Sequence, residues 1–177
     1  GLGIDKNNCK YTVYELMLDE CSIKQCIRSN IYDNLCLIPS NVNLSGAEIE
    51  LMGTEEKEFI LKKQIDLVKK SYDYIIIDCP PALSMLTINA MTTADSVIVP
   101  IQCEYYALEG LSQLLHTINL VKERLNPRLT IEGVVFTMYD ARTNLCKVIT
   151  EPVRDTFEGQ IRIFESRRVG LLFGAAY

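Results

Sequence analysis

Residues 72–81 read YDYIIIDCPP and constrain the fold more than any other stretch of this chain. Ile75, Ile76 and Ile77 are consecutive, β-branched and apolar, with no alternation. Such a run fits a strand buried on both faces, as parallel α/β sheets have. Asp78 ends the run, and Pro80 and Pro81 lack the N–H groups that would carry a ladder onward. An aspartate at the carboxyl end of a central parallel strand stands where α/β sheets receive ligands. Taken alone, these residues leave two readings open: a ligand-holding carboxylate at Asp78, or a strand that stops in an aspartate-capped turn.

The rest of the chain alternates strand and helix patterns. Short helices are expected over 12–18 and 22–28, the second capped by Ser22 with Ile23, Cys26 and Ile27 on one face. A short strand over 35–38 stops at Pro39, and 44–52 reads as a short helix. Residues 55–70 read as one amphipathic helix with Leu61, Ile65, Val68 and Tyr72 on its inner stripe. Thr54 is its expected cap, with Glu55, Glu56 and Glu58 at the positive end of its dipole. After the strand over 75–78 come a helix over 86–91, a strand over 96–101 and a long helix over 108–125. That helix turns Leu111, Leu114, Leu115, Ile118 and Val121 inward. A strand over 131–137, a helix over 145–157 and a strand over 161–164 complete the pattern. Strands separated by such helices imply βαβ units, parallel pairing and right-handed crossovers. No repeat, linker or low-complexity stretch marks a boundary, so residues 1–177 read as a single, partial domain.

Composition excludes several classes. At 177 residues, 48% apolar and 23% charged, the chain is long enough to bury a core. No apolar run approaches the ~20 residues that span a bilayer, so a cytoplasmic protein is expected. Seven cysteines without a C-x-x-C pair, and one histidine, His116, argue against a metal cluster or disulfide framework. They read as buried thiols. The net charge of −5 sets no global field for nucleic acid. The first sixty residues carry five Lys/Arg against ten Asp/Glu, whereas residues 116–177 carry nine against seven. Any contact with DNA is therefore a local patch in the second half.

Three further runs carry a resemblance: DCPPALSMLTINAMTTADSVIVPIQCEYYALEGLSQLL from Asp78, IEGVVFTMYDARTNL from Ile131, and LSGAEIEL upstream. They are long, uncommon and in one order. The chain resembles the ParA/Soj chromosome- and plasmid-partitioning ATPases of the deviant Walker A group, which also holds MinD, over about residues 1–157. The resemblance implies an α/β, P-loop NTPase-like fold, incomplete here: a mostly parallel β-sheet flanked by helices on both faces. It implies ATP and Mg²⁺ as cofactors, with Asp78 as the Walker B residue that holds Mg²⁺ through water. Pro80 and Pro81 would belong to the loop that senses the γ-phosphate. Gln102 and Glu104 would lie at the ligand edge of the sheet, with Tyr105 in the segment that forms the ATP-bound homodimer. Arg142, in the run YDARTN, would contact DNA non-specifically; Lys147, Arg154 and Arg162 read either as an extension of that patch or as solvated surface cations. A solvated Arg142, or one paired with Asp140, is the competing reading of the same residues.

The implied activity is DNA segregation: ATP-driven dimerisation, non-specific DNA binding and hydrolysis stimulated by a ParB-like partner, in a cytoplasmic, nucleoid-associated protein without stable membrane association. There are departures. No G-x-x-x-x-G-K-[ST] occurs, so the chain reads as a fragment without the phosphate-binding loop, and these residues alone are expected to hydrolyse no ATP. The family's P-P-S-L-G becomes Pro81, Ala82, Leu83 and Ser84. The tail from Glu165, ESRRVGLLFGA, lacks the proline and asparagine that lie beside the adenine in that family. Two alternatives remain: a MinD-like membrane-associated ATPase, and a catalytically dead binding module without a P-loop. The YDARTN run favours partitioning over the first; the missing P-loop supports the second, and a start without methionine argues against it.

Overall fold

The computed structural model describes residues 5, 8–80, 82–104, 107–157 and 162–165. The chain divides into two compact units, Gly1–Ile76 and Ile77–Tyr177.

The first unit is built from short pieces. Helix α1 (Val13–Met17) starts in a capping box. The Thr12 hydroxyl accepts from the Tyr14 N–H, and Glu15 Oε2 accepts from the Thr12 N–H at 2.7 Å. Helix α2 (Ile23–Cys26) starts at Ser22 in the same way, with Gln25 reaching back to the Ser22 N–H. Strands β1 (Arg28–Tyr32) and β2 (Leu35–Leu37) pair antiparallel, turning at Asp33 and Asn34, where Asn34 takes a φ of 60°. The sequence reading missed β1, because Arg-Ser-Asn carries neither alternation nor an apolar run. Helix α3 (Leu44–Glu50) follows and is tied to α1 by Tyr14 Oη, which donates to Glu50 Oε1 at 2.8 Å.

The single helix expected over 55–70 is interrupted. A 3₁₀ turn at Lys57–Phe59, helix α4 (Ile60–Asp66) and a second 3₁₀ turn at Lys69–Ser71 replace it. Glu56 sits at a φ of 51°, a left-handed conformation that stops helical propagation from Thr54. Three of the four stripe residues, Ile65, Val68 and Tyr72, nevertheless turn inward as read. Val68 is buried with Leu16, Cys21, Ile23 and Cys26, and Ile65 and Tyr72 pack against them.

The strand expected over 75–78 is also absent: residues 74–80 carry no regular structure, and Ile76 is 71% exposed. An apolar run becomes a strand only where another strand takes up its N–H and C=O groups. Ile75–Ile77 has no such partner among the described residues.

The second unit follows the expected plan. Helix α5 (Met85–Thr93) leads to β3 (Ser96–Gln102), α6 (Ala107–Arg124), β4 (Thr130–Thr137), α7 (Asn144–Phe157) and β5 (Arg162–Glu165). The three strands form a parallel sheet in the order β3-β4-β5. Pro100 has no N–H to give, as suits β3, which has no second partner among the described residues. Val99 pairs with Val134 and Ile101 with Phe136, so these four side chains share one face. That face is the core, closed by Ala107 and Leu111 of α6 and by Cys146, Ile149, Val153 and Phe157 of α7. On the other face Ile98 is 61% exposed. Asn126 fastens α5, its Nδ2 donating to the Met91 and Ala94 carbonyls at 2.9 and 2.8 Å. Among the described residues no helix is long and apolar enough to cross a membrane.

The two faces predict different costs. Phe136 is fully buried, so Phe136→Ala should cost about 3–5 kcal/mol in urea denaturation. Ile98→Ala on the open face should cost under about 1 kcal/mol. Equal losses would show that the face assignment is wrong.

Candidate functional site

Parallel pairing brings the carboxyl ends of β3 and β4 side by side, with Gln102 opposite Thr137. The chain leaves both strands by sharp turns. After β3, the Glu104 N–H donates to the Gln102 carbonyl at 2.8 Å, and the Glu104 carbonyl accepts from the Ala107 N–H as α6 begins. After β4, Met138 adopts a φ of 52°, an uncommon conformation for a residue other than glycine. Gln102 Nε2 donates to Met138 Sδ at 2.9 Å, tying the two strand ends together.

The loop from Tyr139 to Thr143 is held by its own polar atoms. Asp140 is its centre. Its carboxylate accepts from the Arg142 backbone N–H at 3.0 Å, which is an Asx turn. Its carbonyl accepts from the Thr143 N–H at 3.1 Å and from Thr143 Oγ1 at 3.0 Å. Its N–H donates to Cys146 Sγ at 3.4 Å. Thr143 Oγ1 in turn accepts from the Cys146 N–H at 3.3 Å and caps α7.

Arg142 lies along this platform. Its Nε donates to both Asp140 carboxylate oxygens, at 2.9 and 3.2 Å, and its Nη2 donates at 2.7 Å. The Asp140 hydrogen bonds, and then its charge, push the guanidinium still further above its usual range. Three of the five guanidinium N–H bonds are left, those of Nη1 and the second of Nη2. The side chain is 90% exposed, so these face solvent. The ion pair named as the competing reading of Arg142 is therefore present, and it orients the arginine without covering it. Lys147 is exposed one turn into α7, and Arg154 is exposed further along it.

Asp78 has no hydrogen bond to this edge among the described residues. It is exposed, on the irregular segment that replaces the expected strand, and it makes no hydrogen bond or ion pair among the described residues. Its neighbour Cys79 is half-buried, and burial followed by the Asp78 charge pushes its thiol up to about 11. Pro80 is exposed; Pro81 and Tyr105 lie outside the described residues. The structure thus brings Gln102, Glu104 and the Arg142 loop to one sheet edge, and gives Asp78 no link to them. Met138 and Thr143 escaped the sequence reading. Aspartate three residues before threonine is the pattern that would have flagged the Asx turn and cap. A recess of about 270 Å³ between the end of α6 and the start of β4 contains none of these residues.

A single exposed carboxylate is chemically suited to a hard cation held largely by water and phosphate, as Mg²⁺ is. No group of three metal-ligating side chains, and so no all-protein cage, occurs among the described residues.

The comparisons with known proteins fit this arrangement. A family of AAA domains matches residues 1–131. The sporulation initiation inhibitor protein Soj of Bacillus subtilis (strain 168) is 51% identical over 161 residues, which are 91% of this chain but only 64% of that protein. A cobyrinic acid a,c-diamide synthase from Mycobacterium smegmatis, solved with an ATP analogue and magnesium, superposes with a TM-score of 0.80 at 36% identity, covering 89% of this chain and 64% of that one. A plasmid partition protein from Borrelia burgdorferi gives 0.74 at 29% identity, covering 94% and 67%. The P-loop NTPase-like α/β fold expected from the sequence is thus the observed one. The chain belongs to the AAA-domain family, and over 91% of its length it is similar to Soj and ParA chromosome-partitioning proteins.

Proposed function

We propose that the whole protein carrying these residues is an ATP- and Mg²⁺-dependent DNA-partitioning ATPase. The observation that carries this is the 51% identity to a Soj protein across 91% of the chain. The family match crosses the boundary between the two compact units, which supports reading residues 1–177 as part of one such domain. In this reading, ATP drives a homodimer, the dimer binds DNA without sequence preference, and a ParB-like partner stimulates hydrolysis.

Each candidate residue then has a task suited to its chemistry. Asp78 holds a water of the Mg²⁺ shell, and Pro80 and Pro81 restrict the backbone that follows it. The ion supplies charge neutralisation at the phosphates. Gln102 and Glu104 stand at the carboxyl edge of the sheet, where α/β folds receive nucleotide. Arg142 presents an oriented, outward N–H edge, suited to a phosphodiester and blind to base identity. Lys147 adds a second, point-like positive charge.

Two predictions follow from these assignments. In the whole protein, Arg142→Ala should weaken binding alike to DNAs of unrelated sequence and flatten log K against log salt by about 1. Arg142→Lys should restore part of the affinity. An unchanged salt slope in Arg142→Ala would remove the arginine from the interface.

Cys79 reports on Asp78. With its thiol held at about 11, alkylation by iodoacetamide at pH 8 should be slow and should climb with each pH unit until near pH 11. Asp78→Asn removes a charge that opposes the thiolate, so the profile should move to lower pH. Magnesium nucleotide should move it the same way in the native protein and not in the variant. A profile indifferent to magnesium nucleotide would show that no cation binds beside Asp78.

A further inference from the structure

Two thiols in the first unit stand closer together than packing requires. Cys21 Sγ and Cys26 Sγ are 3.0 Å apart, 8% and 0% exposed, and in hydrogen-bond contact. Cys21 occupies the bend before α2 and Cys26 its last residue, so one helical turn separates them. Cys26 also donates to the Thr12 carbonyl at 3.7 Å, beside the capping box of α1. A disulfide needs the sulfurs to approach by only about 1 Å more. The half-buried thiols are placed differently. Cys9 and Cys79 contact backbone carbonyls, and Cys36 contacts a serine hydroxyl.

We propose that Cys21 and Cys26 are a modification site: a dithiol oxidised to an intramolecular disulfide by exchange with a small-molecule disulfide such as oxidised glutathione. The Cys21 thiolate attacks one glutathione sulfur. The reagent's S–S bond breaks and the first glutathione leaves as thiolate. Cys26 then attacks Cys21 Sγ, the mixed disulfide breaks, and the second glutathione takes the Cys26 proton and leaves as a thiol. Two protein thiols are oxidised to one disulfide, and one small disulfide is reduced to two thiols.

The order follows from access, since Cys21 is the less deeply buried of the pair, at 8% exposure against 0%. The direction follows from the environment. Burial, then the Cys21 contact, push the Cys26 thiol up to about 12. A strongly oxidising dithiol is one whose reduced form is stabilised as thiolate. Cys26 is the opposite case, since its surroundings favour the thiol over the thiolate. The disulfide closes across α2 and fixes the corner where α2 meets the start of α1.

The test is peptide mapping of the native chain after incubation with oxidised glutathione and alkylation of the remaining thiols. The expected product has lost two hydrogens, carries no glutathione on Cys21 or Cys26, and contains a Cys21–Cys26 cross-link that dithiothreitol reverses. In Cys26→Ser, glutathione should remain on Cys21. In Cys21→Ser, Cys26 should stay a thiol. A persistent glutathione adduct on Cys21 of the native chain would overturn the proposal. So would a cross-link found only between other cysteines, such as the buried Cys103 and Cys146. The native-chain map decides alone if either variant fails to fold.

Discussion

The parallel pairing of β3 with β4 is the contact on which the architecture of the second unit rests. Parallel strands cannot be joined by a tight turn, so α6 must cross over between them. The crossover buries Leu111, Ile118 and Val121, and places α6 on the face that holds Val99, Ile101, Val134 and Phe136. The same pairing sets the chemistry. In-register parallel strands end together, so Gln102 and Thr137 finish side by side and both following turns open on one edge. An antiparallel pair would have sent those turns to opposite ends. Position at the edge is thus a consequence of strand direction, settled before any functional side chain is considered.

What happens at the edge after β4 is decided locally. An exposed ion pair such as Arg142–Asp140 stabilises little, because water competes for both partners. The loop's shape comes instead from backbone contacts: the Asx turn onto the Arg142 N–H, the Thr143 cap on α7, and the Asp140 N–H against Cys146 Sγ. Cys146 is buried, so the last of these fixes the loop to the core. Asp140 is therefore a backbone fixture whose spare carboxylate capacity aims an arginine. That division explains how a side chain that is 90% exposed has a defined orientation.

Elements that close on their own neighbours were legible in the sequence. The stripe Leu111, Leu114, Leu115, Ile118 and Val121 announced α6, and the apolar runs announced β3 and β4. Arg142 was legible as a cation on a polar loop after a strand. Elements whose own pattern disagrees with their backbone pairing were not. Ile75–Ile77 has the composition of a buried strand, but composition cannot provide the chain that satisfies its backbone. Strand β1 is the converse: Arg28–Tyr32 lacks a strand pattern and forms because β2 pairs with it across the Asn34 turn. Likewise, the 55–70 periodicity foretold which side chains turn inward, and not that Glu56 would break the helix.

The cysteines show how little the residue type says without its surroundings. Burial raises the pKa of any thiol, and it acts on Cys26, Cys79 and Cys146 alike. At Cys26 the neighbours are a second thiol in hydrogen-bond contact and the Thr12 carbonyl, which accepts from the Cys26 S–H. At Cys79 the neighbour is the Asp78 charge, which opposes a second negative charge. At Cys146 burial is outweighed by hydrogen bonds from Thr143, the Asp140 N–H and Cys103, and the thiol moves down. Donors aimed at sulfur separate that case from the other two. The capped loop that orients Arg142 is thus also what reverses the sign at Cys146, since the Asp140 N–H and Thr143 serve both.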